Sequence, residues 1–118
     1  MSISSVFMGN RKIRKTNTTV GTSDGDLVYF GTSEEGLTRG GIYQYVEGDW
    51  QAADADAVAT AKGLLGVAVS STIASGMVVR GCVTLHTDPG SDGDVLYLST
   101  TATQATSTAP SGNGDIVR

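Results

Sequence analysis

A chain of 118 residues with a net charge of −4 has room for one domain, and its acidity speaks against a nucleic-acid binder working through its whole surface. A single cysteine, Cys82, rules out an internal disulfide framework. Aromatic residues make up 6% and charged residues 17%, so the core must be built mainly from Val, Leu, Ile and Ala. No apolar run approaches the ~18 residues of a membrane span, and the first residues lack the apolar stretch of a signal peptide. The expectation is a chain that is made in a cytoplasm and either stays soluble there or is built into something larger.

Residues 1–20 (MSISSVFMGNRKIRKTNTTV) open with Ile3, Val6, Phe7 and Met8 and then gather Arg11, Lys12, Arg14 and Lys15 around Ile13. This segment carries +4 with no acid, whereas residues 21–118 hold four basic and twelve acidic residues, −8. Two readings are open: a frayed, solvated terminus, or an extended arm whose apolar start and basic patch dock on another subunit. In the arm reading the docking residues are Ile3, Val6, Phe7, Arg11, Lys12, Ile13, Arg14 and Lys15. The remainder, residues 21–118, is expected to form the β domain.

Two strands are predicted next, at residues 27–30 and 42–46, bounded by Asp-Gly and Gly-Gly pairs that supply the positive φ angles of tight turns. Tyr43 and Tyr45 share one face of the second strand. They suit a half-buried packing surface and would also suit a subunit interface. Residues 50–62 (WQAADADAVATAK) have a helix-forming composition but no apolar stripe. They are predicted to be an irregular loop with at most one or two helical turns, with Trp50 covering one end of the core.

The clearest pattern lies at residues 63–98. Leu65, Val67 and Val69, then Met77, Val79, Val83 and Leu85, then Leu96 and Leu98, alternate with residues of the opposite face. Period-two alternation between Gly-, Ser-, Asp- and Pro-rich turns predicts half-buried antiparallel strands. The fold class is therefore all-β, a small antiparallel β-sandwich or β-barrel with an extended N-terminal arm. Cys82 is expected as a small core residue. Residues 99–114 are small and polar and allow a hairpin return. The final DIVR begins a further strand, expected to pair with another chain or to continue beyond Arg118.

Reactive constellations are thin. One histidine, His86, and one cysteine make a zinc site within the chain implausible. DPGSDGD (residues 88–94) is a turn signal before it is a calcium loop, since it lacks EF-hand spacing and a terminal Glu. His86, Asp88 and a serine come with no nucleophile-elbow pattern, and aromatics interleaved with basic residues are missing. The chain is accordingly read as a non-enzyme with no catalytic residue, metal or cofactor.

Residues 63–118 contain LLGVA, a small-residue spacer, GMVVRGCVTL, GDVLYLSTTA and TAPSGNGDIVR. This run resembles a segment of tailed-phage virion proteins, namely capsid decoration (cement, head-stabilising) proteins and the ends of some tail-fibre proteins. In that family the strand beginning GDIVR usually runs on for several residues, and here the chain ends at Arg118. The resemblance implies a virion protein on the outer surface of the capsid. It would be a homo-oligomer, commonly a trimer, whose partner is the major capsid protein, with no nucleic-acid or membrane partner. The alternative it implies is a tail-fibre or head-fibre module that binds a host receptor or glycan.

Overall fold

The computed structural model describes residues 19–33 and 36–118. Arm residues Ile3, Val6, Phe7, Arg11, Lys12, Ile13, Arg14 and Lys15 lie outside the described residues. The all-β expectation holds: among the described residues seven strands form a five-stranded antiparallel sheet and a two-stranded ribbon. The strands are β1 (Ser23–Val28), β2 (Ile42–Val46), β3 (Asp49–Ala52), β4 (Leu64–Ala68), β5 (Met77–Val83), β6 (Tyr97–Leu98) and β7 (Ala105–Thr106). The sheet order is β1-β5-β4-β2-β3, and β6 pairs with β7.

Register follows from the period-two pattern. Tyr43 opposes Gly66, Ile42 opposes Val67, Val67 opposes Val78, and Ala68 opposes Met77. Opposed residues share a face, so Tyr43, Gly66, Ala68 and Met77 point one way and Ile42, Gln44, Leu65, Val67 and Val78 the other. On the first face Leu37, Tyr43, Trp50, Ala68 and Met77 form the inner core, with Val28, Tyr45, Ile73 and Val79 packed against it. On the second, Ala53, Ala55, Ala61 and Leu98 form an outer core with Ile42, Leu65 and Ile116.

The sheet curls toward closure. The chain leaving β1 crosses to the opposite edge, where Thr32 N donates to Gly48 O at 3.0 Å and Trp50 N donates to Thr32 O at 2.8 Å. One continuous segment thus pairs with β5 at its start and with β3 at its end, which gives the sheet a partly barrel-like form. On its β5 side this segment requires two glycines. Gly25 and Gly81 face each other in the ladder with φ of +153° and +130°, and a Cβ on either would run into the opposite strand's backbone. A register shift follows between Asp26 and Leu27.

Several expectations need correction. The first strand begins at Ser23 rather than Leu27, and Tyr29 and Phe30 lie beyond its end. Trp50 belongs to a strand: Glu47 (φ 52°) and Gly48 (φ 84°) make the two-residue, both-positive-φ turn that folds β3 back on β2. The rest of that segment is the irregular loop expected, with one 3₁₀ turn at Val58–Thr60. Cys82 is exposed, because the strand runs past the edge of both cores there. The terminal DIVR forms no strand and bonds within its own chain. Ile116 N donates to Ala55 O at 2.7 Å, and Leu98 N donates to Arg118 O at 2.6 Å.

Candidate functional site

The outer face of the sheet is only partly covered. Loop residues 53–63 and the terminal segment roof its β2 end, held by the outer core and by Arg118 Nη1, which donates to the carbonyls of Ala61 and Gly63 at 2.6 Å each. Beyond that roof runs an apolar trough in two connected parts that share Ile42 and Leu65. One part, about 300 Å³, lies between the sheet and the ribbon and adds Leu85, Leu96 and Leu98. The other, about 240 Å³, continues over Val67, Val78 and Val83. Leu96 is 43% exposed, and its neighbour Val95 is exposed as well. The sequence pattern placed these residues in strands, and their exposure follows from the shortness of β6, which covers little of the sheet.

The walls of the trough are joined by an acidic loop. Residues 88–94 connect Leu85 on one wall to Leu96 on the other, and Asp88, Asp92 and Asp94 are all exposed. Two of the carboxylates shape the turn: Asp88 Oδ1 accepts from Gly90 N at 3.2 Å and Asp94 Oδ2 from Ser91 N at 2.9 Å. Among the described residues no group of three or more His, Cys, Asp or Glu is placed to hold a metal ion.

Tyr43 and Tyr45 serve the interior. Tyr43 is buried in the inner core and its hydroxyl accepts from Thr38 N at 2.6 Å. It has almost no surface to give to a subunit interface, which corrects that half of the expectation. Tyr45 is half-buried, 4.9 Å from the Phe30 ring and 5.0 Å from Trp50. Phe30 also stacks on Trp50 at 6.1 Å, and Trp50 Nε1 donates to Phe30 O at 3.0 Å. Tyr29 and Phe30 remain 60% and 46% exposed, an aromatic edge just beyond the end of β1.

No family model, curated protein or solved structure matches the chain.

His86 is held by threonines rather than by Asp88. Its Nε2 lies 3.2 Å from Thr103 O and its Nδ1 3.0 Å from Thr87 Oγ1, so the tautomer protonated on Nε2 satisfies both. A second opening of about 430 Å³ sits at the β3 edge beside Ser33, Thr38, Asp49 and Gln51. There Asp49 Oδ1 is buried with no partner among the described residues.

The loop over the outer core holds a carboxylate pair. Thr60 Oγ1 donates to Asp54 Oδ1 at 2.6 Å and lies 3.4 Å from Asp56 Oδ1. Burial pushes the Asp54 carboxyl up, but hydrogen bonds from Thr60 and from the side chain and backbone of Asp56 outweigh it and leave it lowered. Asp56 is raised, chiefly by a side-chain hydrogen bond to Asp54 that favours its protonated form, with burial and the Asp54 charge acting in the same direction. Among the described residues no helix is long and apolar enough to cross a membrane.

Proposed function

We propose that the protein is a virion structural protein, a capsid decoration protein that binds the outer surface of a tailed-phage head as a trimer and stabilises contacts between major capsid protein subunits. The observation that carries this is an acidic, nearly all-strand body with a continuous exposed apolar trough, joined to a basic segment with an apolar start. Such a molecule works by area. Residues 63–118, which resemble decoration-protein segments, supply β4, β5, the ribbon and most of the trough wall. The body and the resemblance therefore point to the same half of the chain.

The N-terminal segment is the tether in this proposal. Its exposed ion pairs would each contribute only ~0–1 kcal/mol. Affinity would come from burying Ile3, Val6, Phe7 and Ile13, and from trivalency, which multiplies weak contacts. The test is co-sedimentation with expanded empty heads of a tailed phage, together with the mass of the protein in solution. Full-length protein should pellet with the heads, and a variant lacking residues 1–15 should stay folded and remain in the supernatant. Pelleting of the truncated variant would overturn the tether, and failure of the full chain to pellet would overturn the capsid role.

A second reading, a fibre module that binds a host receptor or glycan, draws on the exposed Tyr29 and Phe30, since ring faces at a sheet edge suit sugar stacking. Binding to host cells that is lost in a Tyr29→Ala, Phe30→Ala variant, with no binding to heads, would favour it.

A further inference from the structure

We propose that Asn113 is a self-modification site, where the Asn113-Gly114 turn closes to a cyclic imide and reopens as an aspartyl or isoaspartyl residue, freeing the terminal segment from the outer core. The chain has three asparagines, at 10, 17 and 113, and only Asn113 precedes a glycine. Glycine matters because a side chain on the following residue would crowd the backbone nitrogen that attacks the amide. Residues 112–115 form a tight turn: Asp115 N donates to Gly112 O at 3.1 Å, and Asp115 Oδ2 accepts from Gly112 N at 2.8 Å. Gly114 sits third in it with φ +88°, the positive φ that a type II turn needs at that place. These bonds join the ends of the turn and leave the Gly114 N–H uninvolved. Asn113 and Gly114 are both exposed, and a Cβ placed on Gly114 would meet nothing within 4 Å. The attacking nitrogen and the amide carbon are both open to water.

The chemistry needs only water. The Gly114 nitrogen gives up its proton to hydroxide and attacks Asn113 Cγ. A ring C–N bond forms, the Cγ–Nδ2 bond breaks, and the amide nitrogen takes a proton from water and leaves as ammonia. Water then opens the imide at either carbonyl. Opening at Cγ leaves an aspartyl residue. Opening at the main-chain carbonyl leaves an isoaspartyl residue, whose backbone runs through Cβ and is longer by one methylene. Overall one water is consumed, one ammonia is released and one carboxylate is gained, with no change of oxidation state. The place of the turn sets the consequence. Just past it, Ile116 N donates to Ala55 O at 2.7 Å and Ile116 packs against the outer core. Leu98 N donates to Arg118 O at 2.6 Å and holds the chain's end. A methylene inserted into the turn spreads the clasp between Gly112 and Asp115, and the new charge lies two residues from the Asp115 carboxylate. Ile116 is then no longer aimed at Ala55, while the inner core on the opposite face of the sheet is untouched.

The test is incubation of the full chain at mildly alkaline pH, followed by peptide mapping over time. The tryptic peptide 81–118 holds no other asparagine, so a species heavier by one mass unit, placed at 113 by fragmentation, reports the conversion. Methyl transfer by a protein isoaspartate methyltransferase reports the isoaspartyl product. The native chain should convert at a rate close to that of the urea-unfolded chain, and faster as pH rises. Asn113→Gln, which would need a six-membered ring, should convert at least about tenfold more slowly. That variant keeps Asp92-Gly93, so any isoaspartyl signal from that pair is subtracted. In the converted fraction, hydrogen exchange at Ile116 should rise at least about tenfold while the β4–β5 amides stay unchanged. A native chain that stays unconverted, whether or not the unfolded one converts, would overturn the site. Conversion with exchange at Ile116 unchanged would overturn the release of the terminal segment. The turn converts whether or not the protein sits on phage heads, which the sedimentation experiment decides separately.

Discussion

The two cores on either side of the sheet are built by different means. The inner one is aromatic and long-range: Trp50, Tyr43, Met77 and Leu37 come from β3, β2, β5 and a loop, and the strand ladders bring them together. The outer one buries three alanines and Leu98, with Ile42, Leu65 and Ile116 only half-buried against them. Its cohesion comes from backbone hydrogen bonds that converge on residues 53–55. Ala53 N donates to Ile42 O, Thr103 N to Ala53 O, Ala55 N to Ser99 O and Ile116 N to Ala55 O, at 2.7–3.2 Å. Ala53 and Ala55 are fully buried because four segments approach that backbone closely, and a larger side chain would hold them apart. Volume fills one side of the sheet and close backbone approach the other.

The largest break in this asymmetry should come from Trp50→Ala. Trp50 is 2% exposed, packs on Tyr45 and Phe30, and crowds Gly66. Its loss leaves a cavity among Tyr43, Met77 and Leu37, so about 3–5 kcal/mol of stability should go, read as a shift in denaturant midpoint. A loss below about 1 kcal/mol would mean that the inner core is not where stability resides.

Next comes Gln44, the one buried polar residue among the described residues, at the seam between the sheet and the outer layer. Its Nε2 donates to Ala59 O at 2.9 Å and its Oε1 accepts from Gly63 N at 3.2 Å, which ties β2 to the loop that carries the alanines. Gln44→Ala leaves both loop groups without partners, at a cost of about 1–3 kcal/mol. Hydrogen exchange should rise at Gly63 and its neighbours while the β4–β5 amides stay protected. Uniform loss of protection would show that the two layers unfold as one.

The same contrast explains what could be read from residues alone. Alternation announced β2, β4 and β5, because each has one face on a core and Val, Leu, Tyr and Met mark it. The outer core was invisible. WQAADADAVATAK has the composition of a helix, and only the approach of residues 42, 99, 103 and 116 shows that its alanines are small so that backbones can meet. β3 was hidden for a related reason: its turn is Glu47-Gly48, and a glutamate at φ 52° lacks the Asn-Gly signature of such hairpins. The trough was half legible. Leu85, Leu96 and Leu98 were marked as apolar, but that Leu96 is 43% exposed two residues from the buried Leu98 depends on how little sheet a two-residue β6 covers. Tyr43 and Tyr45 share a face as expected, and that face is the inner one, which is why Tyr43 offers no interface. The basic-to-acidic split along the chain needed only counting.

The smallest expected effect sharpens the outer layer's internal wiring. Asp54 and Asp56 flank the Thr60 hydroxyl, which donates to Asp54 at 2.6 Å and lies 3.4 Å from Asp56. The lowered Asp54 carboxyl contributes stability that is present above the ordinary aspartate range and is lost as pH falls through its lowered value. The raised Asp56 carboxyl does the opposite, with a contribution complete below the ordinary range and lost as pH rises through the raised value. The two slopes oppose each other, so stability should change little with pH across the carboxylate range on account of this pair. Asp54→Asn keeps an oxygen for the Thr60 hydroxyl but removes the charge that holds the Asp56 proton. Asp56 should then titrate lower, toward the ordinary aspartate value, when its carboxyl carbon is followed by NMR. If Asp56 does not move, Asp54 is not what raises it, and the loop is held by Thr60 and the convergent backbone bonds alone.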